Sequence, residues 1–291
     1  MCGWAWPALI EPLLEMLGEA GPADPHRVVL IAGDSLGYVP WHAARSSDGT
    51  RVACETFAFS YAASARQLAA VAGRARTGAG GAVALVADPT EDLPMAREEA
   101  EALRRELYGD AEVLDRSTAT PEAVLRHLRA EPGLALLHLA CHATAAGDPD
   151  ASHLLLAGWA ALPVSRILDV ARTRPAGAAG GTVVLSACST DLAGSVFDEA
   201  LTLSTAFLAA GAVSVVGSRW PVDDRITACL MVRFHLYRAG GLDDRDALRA
   251  AQLWMLDPDR AVPPAVAALL PRDPAVLAEP SSWAPFAHHG R

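Results

Sequence analysis

The sequence LHLACHAT, residues 137–144, and the sequence VVLSACST, residues 183–190, decide the fold. Each is an apolar run that ends at a reactive side chain, His142 in the first and Cys188 in the second. Nearly continuous apolar runs are typical of strands buried on both faces of a parallel sheet. Because sites form where the carboxyl ends of such strands meet, we expect His142 and Cys188 to lie close together.

The alternation of strands and helices along the chain predicts the fold class. Three further apolar runs have the character of buried strands, and they begin at Arg27, Ala82 and Ala212. Helical patterns separate the runs, and one of them has Thr120 as a candidate N-cap with Pro121 at the first helical position. This order predicts an α/β fold, a three-layer α/β/α sandwich with a mainly parallel sheet.

The domain organisation follows from length and from the lack of a divider. No long linker or internal repeat interrupts the 291 residues, of which 52% are hydrophobic. We therefore expect a single domain over residues 1–291. Its histidine-bearing half would cover about residues 1–160, and its cysteine-bearing half about residues 161–291.

Composition excludes several classes of function. The net charge is −10 with no basic block, which argues against a nucleic-acid groove. The sequence contains no lysine, which excludes a Walker-type phosphate loop, Schiff-base chemistry and a pyridoxal site. It contains no asparagine, which excludes the Cys-His-Asn arrangement of papain-like proteases.

Cysteine usage and hydropathy indicate a compartment. The five cysteines are irregularly spaced and include no CxxC pair, a pattern typical of reduced, intracellular proteins. The first residues lack the basic segment of a signal peptide, and no apolar stretch reaches the roughly 18 residues that span a bilayer. We expect a cytoplasmic protein with no membrane contact.

His142 and Cys188 have the chemistry of a cysteine peptidase and need no metal or cofactor. They lie 46 residues apart, close to the spacing of a caspase-type histidine and its nucleophile. A thiolate attacks a peptide carbonyl, while the imidazole deprotonates the thiol and protonates the leaving amine. The backbone N–H groups of Ala143 and Cys188 are candidates for stabilising the oxyanion.

Two neighbours of His142 suggest a competing metal site. His138, Cys141 and His142 together resemble a zinc-binding pattern. Alternation along a strand, however, points Cys141 away from His142. We interpret Cys141 as a buried core thiol and expect no metal.

Ser35 offers a competing nucleophile. The sequence GDSLG, residues 33–37, matches the G-x-S-x-G pattern of serine hydrolases and follows an apolar run. A nucleophile elbow must open directly into a helix, but Pro40 disfavours helical geometry at Val39. We interpret Ser35 as a turn residue and keep a serine hydrolase as a remote alternative.

The chain resembles the CHAT domain, a bacterial branch of the caspase-like cysteine peptidases that includes separase. The resemblance runs from LIEPLLEML near the start, through LHLACHAT and VVLSACST, to SSWAPFAHHG near the end. It implies that His142 is the catalytic histidine, that Cys188 is the nucleophile, and that the substrate is a protein. The family usually has glycine where this sequence has Ala143 and Asp191, and glutamate at Ser189, changes that could detune the oxyanion loop.

The segment GSRWPVDD, residues 217–224, is implied by the same resemblance to help form the substrate pocket. The candidate pocket residues are Ser218, Arg219, Trp220, Asp223 and Asp191. An ordinary strand-to-helix turn, with Asp223 or Asp224 as an N-cap, fits the segment equally well. Arg219 would favour an acidic substrate residue and the aspartates a basic one, so specificity stays open.

Two functions follow from the resemblance. One is a cysteine endopeptidase that a regulatory protein partner or sensor module activates in a signalling or defence assembly. The other is a catalytically inactive CHAT module that binds protein partners. The small residues that follow His142 and Cys188 predict that the isolated chain is nearly inactive until a partner orders these loops.

Overall fold

The structure is a computed structural model, and it describes residues 3–78, 80–129, 133–144, 151–175, 177–186 and 202–291. The strands are β1 (His26–Leu30), β2 (Phe57–Tyr61), β3 (Ala82–Ala87), β4 (Glu112–Leu114), β5 (Leu134–Ala140), β6 (His142–Thr144), β7 (His153–Leu155), β8 (Ala161–Pro163), β9 (Thr182–Ser186), β10 (Ser214–Ser218) and β11 (Phe286–Gly290). The helices are α1 (Glu11–Leu17), α2 (Ala53–Thr56), α3 (Ala65–Ala72), α4 (Pro94–Glu106), α5 (Pro121–Leu128), α6 (Val164–Thr173), α7 (Leu203–Ala209), α8 (Asp224–Ala239), α9 (Asp244–Leu256), α10 (Pro264–Ala267) and α11 (Pro280–Trp283).

Eight strands form the main sheet, in the order β1-β2-β11-β10-β9-β5-β3-β4. Strands β3, β4, β5, β9 and β10 run parallel to one another. Strand β11 is antiparallel to β10, and a single bridge between His289 and Tyr61 joins it to β2. The carboxyl ends of the five parallel strands therefore meet at one edge of the sheet, as the sequence predicts.

Helices cover both faces of the sheet, so the expected three-layer α/β/α architecture is confirmed. Helices α5, α6 and α7 pack into one hydrophobic core, and α4, α8 and α9 pack into another. Strand β5 serves both cores, because Leu137 belongs to the first and Leu136 to the second. This alternation explains why the strand reads as a continuous apolar run.

Strand β1 corrects one expectation. The apolar run from Arg27 was expected to be buried on both faces, but β1 lies at the edge of the sheet and its residues alternate between half-buried and exposed. Val29, for example, is 37% exposed. An edge strand has a neighbour on one side only. Apolar residues of β1 pack against the nearby N-terminal core, so they do not indicate a central position in the sheet.

Strand β11 was not predicted as a strand because its sequence, FAHHG, contains two histidines. The ring of His288 is buried, with Nδ1 2.7 Å from Ser60 Oγ and Nε2 3.0 Å from Ser214 Oγ. Burial lowers the pKa of His288 to about 3. A neutral imidazole between two hydroxyl groups can be buried in a sheet because both of its nitrogens have hydrogen-bonding partners.

A second, antiparallel sheet branches from the carboxyl end of β5. It contains β6, β7 and β8, and its first residue is His142, which is paired with Leu155. Helix α6 follows directly after β8 and returns the chain to the main sheet. The small sheet therefore fixes the backbone of His142 just beyond the edge where the parallel strands end.

Candidate functional site

The two reactive residues, His142 and Cys188, follow neighbouring strands of the main sheet. Strands β5 and β9 are adjacent and parallel, and Ala140 is the register partner of Ser186. His142 follows Ala140 by two residues, and Cys188 follows Ser186 by two residues. Cys188 and the pocket candidate Asp191 lie outside the described residues.

The His142 ring is held from two sides. Its Nε2 lies 3.0 Å from Asp92 Oδ1, and the ring stacks on Trp159 at 6.3 Å between centroids and 16° between planes. The imidazole stays partly open, with 32% of the side chain exposed. With Nε2 engaged by a carboxylate, Nδ1 is the nitrogen left to exchange a proton with a reacting group.

The turn after β3 positions Asp92. The buried carboxylate of Asp88 accepts hydrogen bonds from the backbone N–H groups of Asp92, at 3.0 Å, and Leu93, at 2.9 Å. Thr90 Oγ1 donates to Asp92 Oδ1 at 2.6 Å. This hydrogen bond and the contact with His142 lower the pKa of Asp92. Asp92 is therefore ionised near neutral pH and can accept a hydrogen bond from the facing nitrogen of His142.

Sequence reasoning missed both Asp92 and Trp159. A signal for Asp92 was available, because the acid-containing sequence PTEDLP follows β3, and the carboxyl end of β3 adjoins that of β5. For Trp159 no comparable signal existed. It lies in the 3₁₀ turn Ala157–Trp159 with a positive φ of 61°, and only the folded path of the chain brings it to His142.

Cys141 is a core thiol, as alternation along the strand predicts. It is 1% exposed, and burial raises the pKa of its thiol to about 12. Burial has the same effect on Cys54 and Cys229. Because the thiolate is the nucleophilic form, none of these three cysteines is suited to attack a substrate at neutral pH.

His138 belongs to a buried polar chain instead of a metal cluster. Its Nε2 lies 2.8 Å from Glu99 Oε1, off the line of a well-aligned hydrogen bond, and its Nδ1 lies 3.2 Å from His235 Nε2. Ser186 Oγ donates to the other oxygen of Glu99 at 2.9 Å. In the described part of the chain no three His, Cys, Asp or Glu side chains form a group that could hold a metal ion.

The polar chain continues across the helical layer. His235 Nδ1 lies 2.9 Å from the Tyr108 hydroxyl, which accepts from Arg238 at 3.3 Å. Arg238 in turn donates to the buried Asp244 at 2.9 Å. Burial alone would raise the pKa of Asp244, but Arg238 and Arg76 outweigh it and hold the pKa well below its usual range. A connected chain of buried partners therefore reaches from Asp244 to the last residue of β9.

The candidate pocket residues after β10 have mixed roles. Ser218 is buried and donates to the carbonyl of Trp220 at 3.1 Å. The guanidinium of Arg219 donates to the carbonyl of Gly37 and covers the Tyr61 ring at 4.2 Å, so it faces inward and is 5% exposed.

Asp223 is the N-cap of α8, as the turn interpretation of this segment predicts. Its carboxylate accepts from the backbone N–H groups of Arg225 at 3.0 Å and Ile226 at 3.3 Å. The assignment of this segment to a substrate pocket stays a prediction, in which Trp220 is half-buried and Asp223 is exposed.

Ser35 lies in a 3₁₀ helix, Asp34–Tyr38, which ends before Pro40. It therefore does not occupy the sharp strand-to-α-helix turn that a nucleophile elbow requires. Within the described segments, no helix combines the length and the apolar character needed to cross a bilayer.

Comparison with known proteins identifies one family and one fold. The CHAT domain model matches residues 1–291, whereas no curated protein sequence matches the chain. The separase of the Saccharomyces cerevisiae separase–securin complex is similar in structure, with a TM-score of 0.54 and 14% identity over 90% of this chain and 15% of that chain.

The Porphyromonas gingivalis protein RgpB, in a complex of its pro- and mature domains, is also similar, with a TM-score of 0.56 and 12% identity over 97% of this chain and 68% of that chain. A structure of the Arg-specific cysteine proteinase gingipain R gives a TM-score of 0.54 and 11% identity over 97% of this chain and 66% of that chain. These likenesses show a shared caspase-like α/β fold. The chain spans 15% of the length of the separase chain and about two thirds of the gingipain chains.

Proposed function

This chain belongs to the CHAT domain family, and from that premise we propose that it is a cysteine endopeptidase in which His142 and Cys188 form the catalytic dyad. One observation carries the proposal: Ala140 and Ser186 are register partners on adjacent parallel strands. The two reactive residues each follow their strand by the same two positions, so both start from the same edge of the sheet.

The surroundings of His142 support a catalytic role. Asp92 and Trp159 fix the orientation of the ring while a third of the side chain stays open. A base oriented by a third group and facing a nucleophile is the arrangement that nucleophilic catalysis requires. In this arrangement Nδ1 of His142 would take the thiol proton and later give it to the leaving amine.

Ala143 is compatible with this role. It lies within strand β6, opposite Leu154, and its φ is not positive. The alanine therefore avoids the strain that a left-handed backbone would impose on a non-glycine residue. Its backbone N–H remains a candidate oxyanion donor together with that of Cys188.

An alkylating peptide library tests the proposal on the purified chain, with and without lysate of its own host. We expect the label on Cys188, a loss of labelling in Cys188→Ala, and retained labelling in the control Cys141→Ala. Mapping of new protein N-termini after expression of wild type and Cys188→Ala then identifies substrates. Silence in all of these assays would favour the non-catalytic, partner-binding CHAT module, and a label on Ser35 would favour a serine hydrolase. Labelling that appears only with lysate would support activation by a partner.

A further inference from the structure

A cavity adjoins the turn that orients His142. Its volume is about 550 Å³, within the range that binds small ligands or a few side chains. The cavity lies between helix α4 and strands β3 and β4, and Asp88 and Glu91 of the turn line it. The next residue, Asp92, contacts His142. One short turn thus forms a wall of the cavity and positions the imidazole.

The backbone of this turn is unusual for its sequence. Asp88 has a φ of 47° and Glu91 a φ of 64°, both in the left-handed region that favours glycine. The buried Asp88 carboxylate holds the turn through its bonds to Asp92 and Leu93 and through an ion pair with Arg97 at 2.8 Å. Non-glycine residues held in this conformation cluster at functional sites.

The cavity lies on a defined side of the dyad. Along the sheet the order of strands is β9, β5, β3 and β4. Cys188 follows β9, His142 follows β5, and the cavity lies beside β3 and β4. The cavity is therefore on the side of His142 that is remote from the strand of the nucleophile.

The chemistry of peptide cleavage assigns an occupant to that side. The thiolate forms a bond to the carbonyl carbon, the carbon–nitrogen bond breaks, and the proton held by the imidazolium passes to the leaving nitrogen. The leaving amine must therefore face the histidine, and the chain attached to it extends past the histidine, away from the cysteine. We propose that the cavity binds the leaving segment of a protein substrate, the residues on the carboxyl side of the cleaved bond. This inference rests on the proposed function.

The lining of the cavity indicates which side chains fit. Small and apolar residues line part of it, namely Ala87, Ala100, Ala111 and Val113. Val113 lies on the edge strand β4 and is 40% exposed, so its side chain is accessible to a ligand in the cavity. These surfaces favour an apolar substrate residue, whose burial removes both partners from water.

The charges around the cavity favour the same occupant. Arg97 is paired with Asp88, and Arg116 lies 3.3 Å from Glu91. Asp115 accepts from the backbone and side chain of Ser117 and Thr118. With Glu101 and Arg104 included, the lining has four acidic side chains and three arginines, so the signs nearly balance and no single sign of charge on the substrate is favoured.

The test compares two exposed valines on opposite edges of the same sheet. Val113→Glu places a charge in the cavity, and Val29→Glu makes the matched change on β1, where Val29 is 37% exposed. The substrates are peptides that span the cleavage sites found by N-terminal mapping, with apolar or charged residues on the leaving side. An alkylating probe that carries only the acyl side of the same sites serves as the reference.

We expect Val113→Glu to lower kcat/KM for peptides with apolar leaving segments by about tenfold. The rate of labelling of Cys188 by the acyl-side probe should be unchanged, and Val29→Glu should change neither rate. Unchanged cleavage by Val113→Glu would overturn the inference while leaving the peptidase intact.

A binding assay keeps the inference testable without turnover. A library of synthetic peptides is screened for binding to Cys188→Ala protein by fluorescence anisotropy, with Val113→Glu added to that variant for comparison. We expect peptides with apolar residues to bind, with an affinity about tenfold weaker when Val113→Glu is present. Failure of wild type to be labelled would contradict the proposed function. Binding that is absent, or indifferent to Val113→Glu, would contradict the cavity assignment.

Discussion

His138 and His142 are four residues apart and each faces a carboxylate, but their environments are opposite. His138 and its partner Glu99 are 0% and 1% exposed, whereas His142 and Asp92 are 32% and 47% exposed. The same pair of residue types thus occurs once inside the protein and once at the edge of the sheet. Access to solvent, and not residue type, therefore distinguishes the two pairs.

The buried pair lies at one end of a chain of polar contacts that permits one consistent set of protons. Arg238 donates to Tyr108, and a consistent set of protons then runs from Tyr108 to His235, from His235 to His138, and from His138 toward Glu99. Buried chains of this kind are stable only when every member finds a partner. The exposed pair has no such constraint, because its polar atoms remain accessible to water.

The largest expected effect is a loss of unfolding free energy in acid, which acts through the buried histidines and not through the exposed edge of the sheet. Burial lowers the pKa of His42 to about 3 and that of His288 to about 3, and it lowers the pKa of His235 well below its usual value. These groups are neutral when folded and take up protons near pH 6.5 on unfolding, so their stabilisation is present above that pH and is lost below it. From pH 7 to pH 5 we expect a loss of about 2 kcal/mol for each of His42 and His288. Urea unfolding at several pH values measures this loss.

A control isolates the contribution of the buried rings. His288→Asn should reduce the slope of unfolding free energy against pH between 5 and 7, because it removes one of the buried groups that take up a proton on unfolding. An unchanged slope in His288→Asn would contradict the role of this ring.

Removal of Glu99 should cost nearly as much at neutral pH. Glu99→Ala leaves Ser186 and His138 without their shared partner inside the protein. A buried polar group left without its partner costs about 1–3 kcal/mol of unfolding free energy, and here two groups lose theirs. The control is Glu98→Ala, the exposed neighbour on α4, for which we expect a change within about 0.5 kcal/mol. Equal losses in the two variants would show that the polar chain has no role in stability.

His142→Ala should show the opposite pattern, a large loss of activity with little loss of stability. The general acid–base contribution predicts a fall in peptide cleavage of about 100-fold or more. Its partly exposed side chain predicts a change in unfolding free energy within about 1 kcal/mol. Cleavage rates and denaturant midpoints of the same preparation measure both. A folded His142→Ala protein that cleaves normally would eliminate the dyad.

Asp92→Ala should have the smallest effect. Without the carboxylate, the His142 ring loses the group that orients it and favours its protonated nitrogen, so we expect cleavage to fall by about tenfold. Asp92→Asn keeps an oxygen that can accept a hydrogen bond from the ring, so it should restore much of the rate. Cleavage at the wild-type rate by Asp92→Ala would assign Asp92 to the turn alone.

The sequence predicted the parallel core because buried central strands are apolar along their whole length. It did not predict β11, whose histidines are polar by composition but neutral and hydrogen-bonded in place. It also assigned Val29 and its neighbours to the interior, because composition does not reveal which strand ends a sheet. Position within a sheet depends on the order of strands, which local sequence patterns do not encode.

The residues of the candidate site also differ in how well local sequence predicts them. His142 could be predicted because a reactive residue at the end of an apolar run is a local signal. For Asp92 the sequence PTEDLP offers a signal, but it does not select Asp92 among the acids there, because the contact with His142 joins residues 50 positions apart through a turn whose geometry depends on the carboxylate of Asp88. Arg219 looks like a substrate-binding cation in the sequence, yet its partners Gly37 and Tyr61 come from a distant part of the chain.

Because β11 lies between β2 and β10 in the main sheet, it imposes an order on folding during synthesis. Strands β1 and β2 join the main sheet only beside β11, among the strands described, and β11 begins at Phe286. Arg219, just beyond β10, is tied through its backbone to Pro285 and through its side chain to Gly37. During synthesis, β1 and β2 therefore cannot join the main sheet until more than two hundred further residues have been made. Because Pro285 directly precedes β11, its hydrogen bond with Arg219 also forms at that late stage of synthesis.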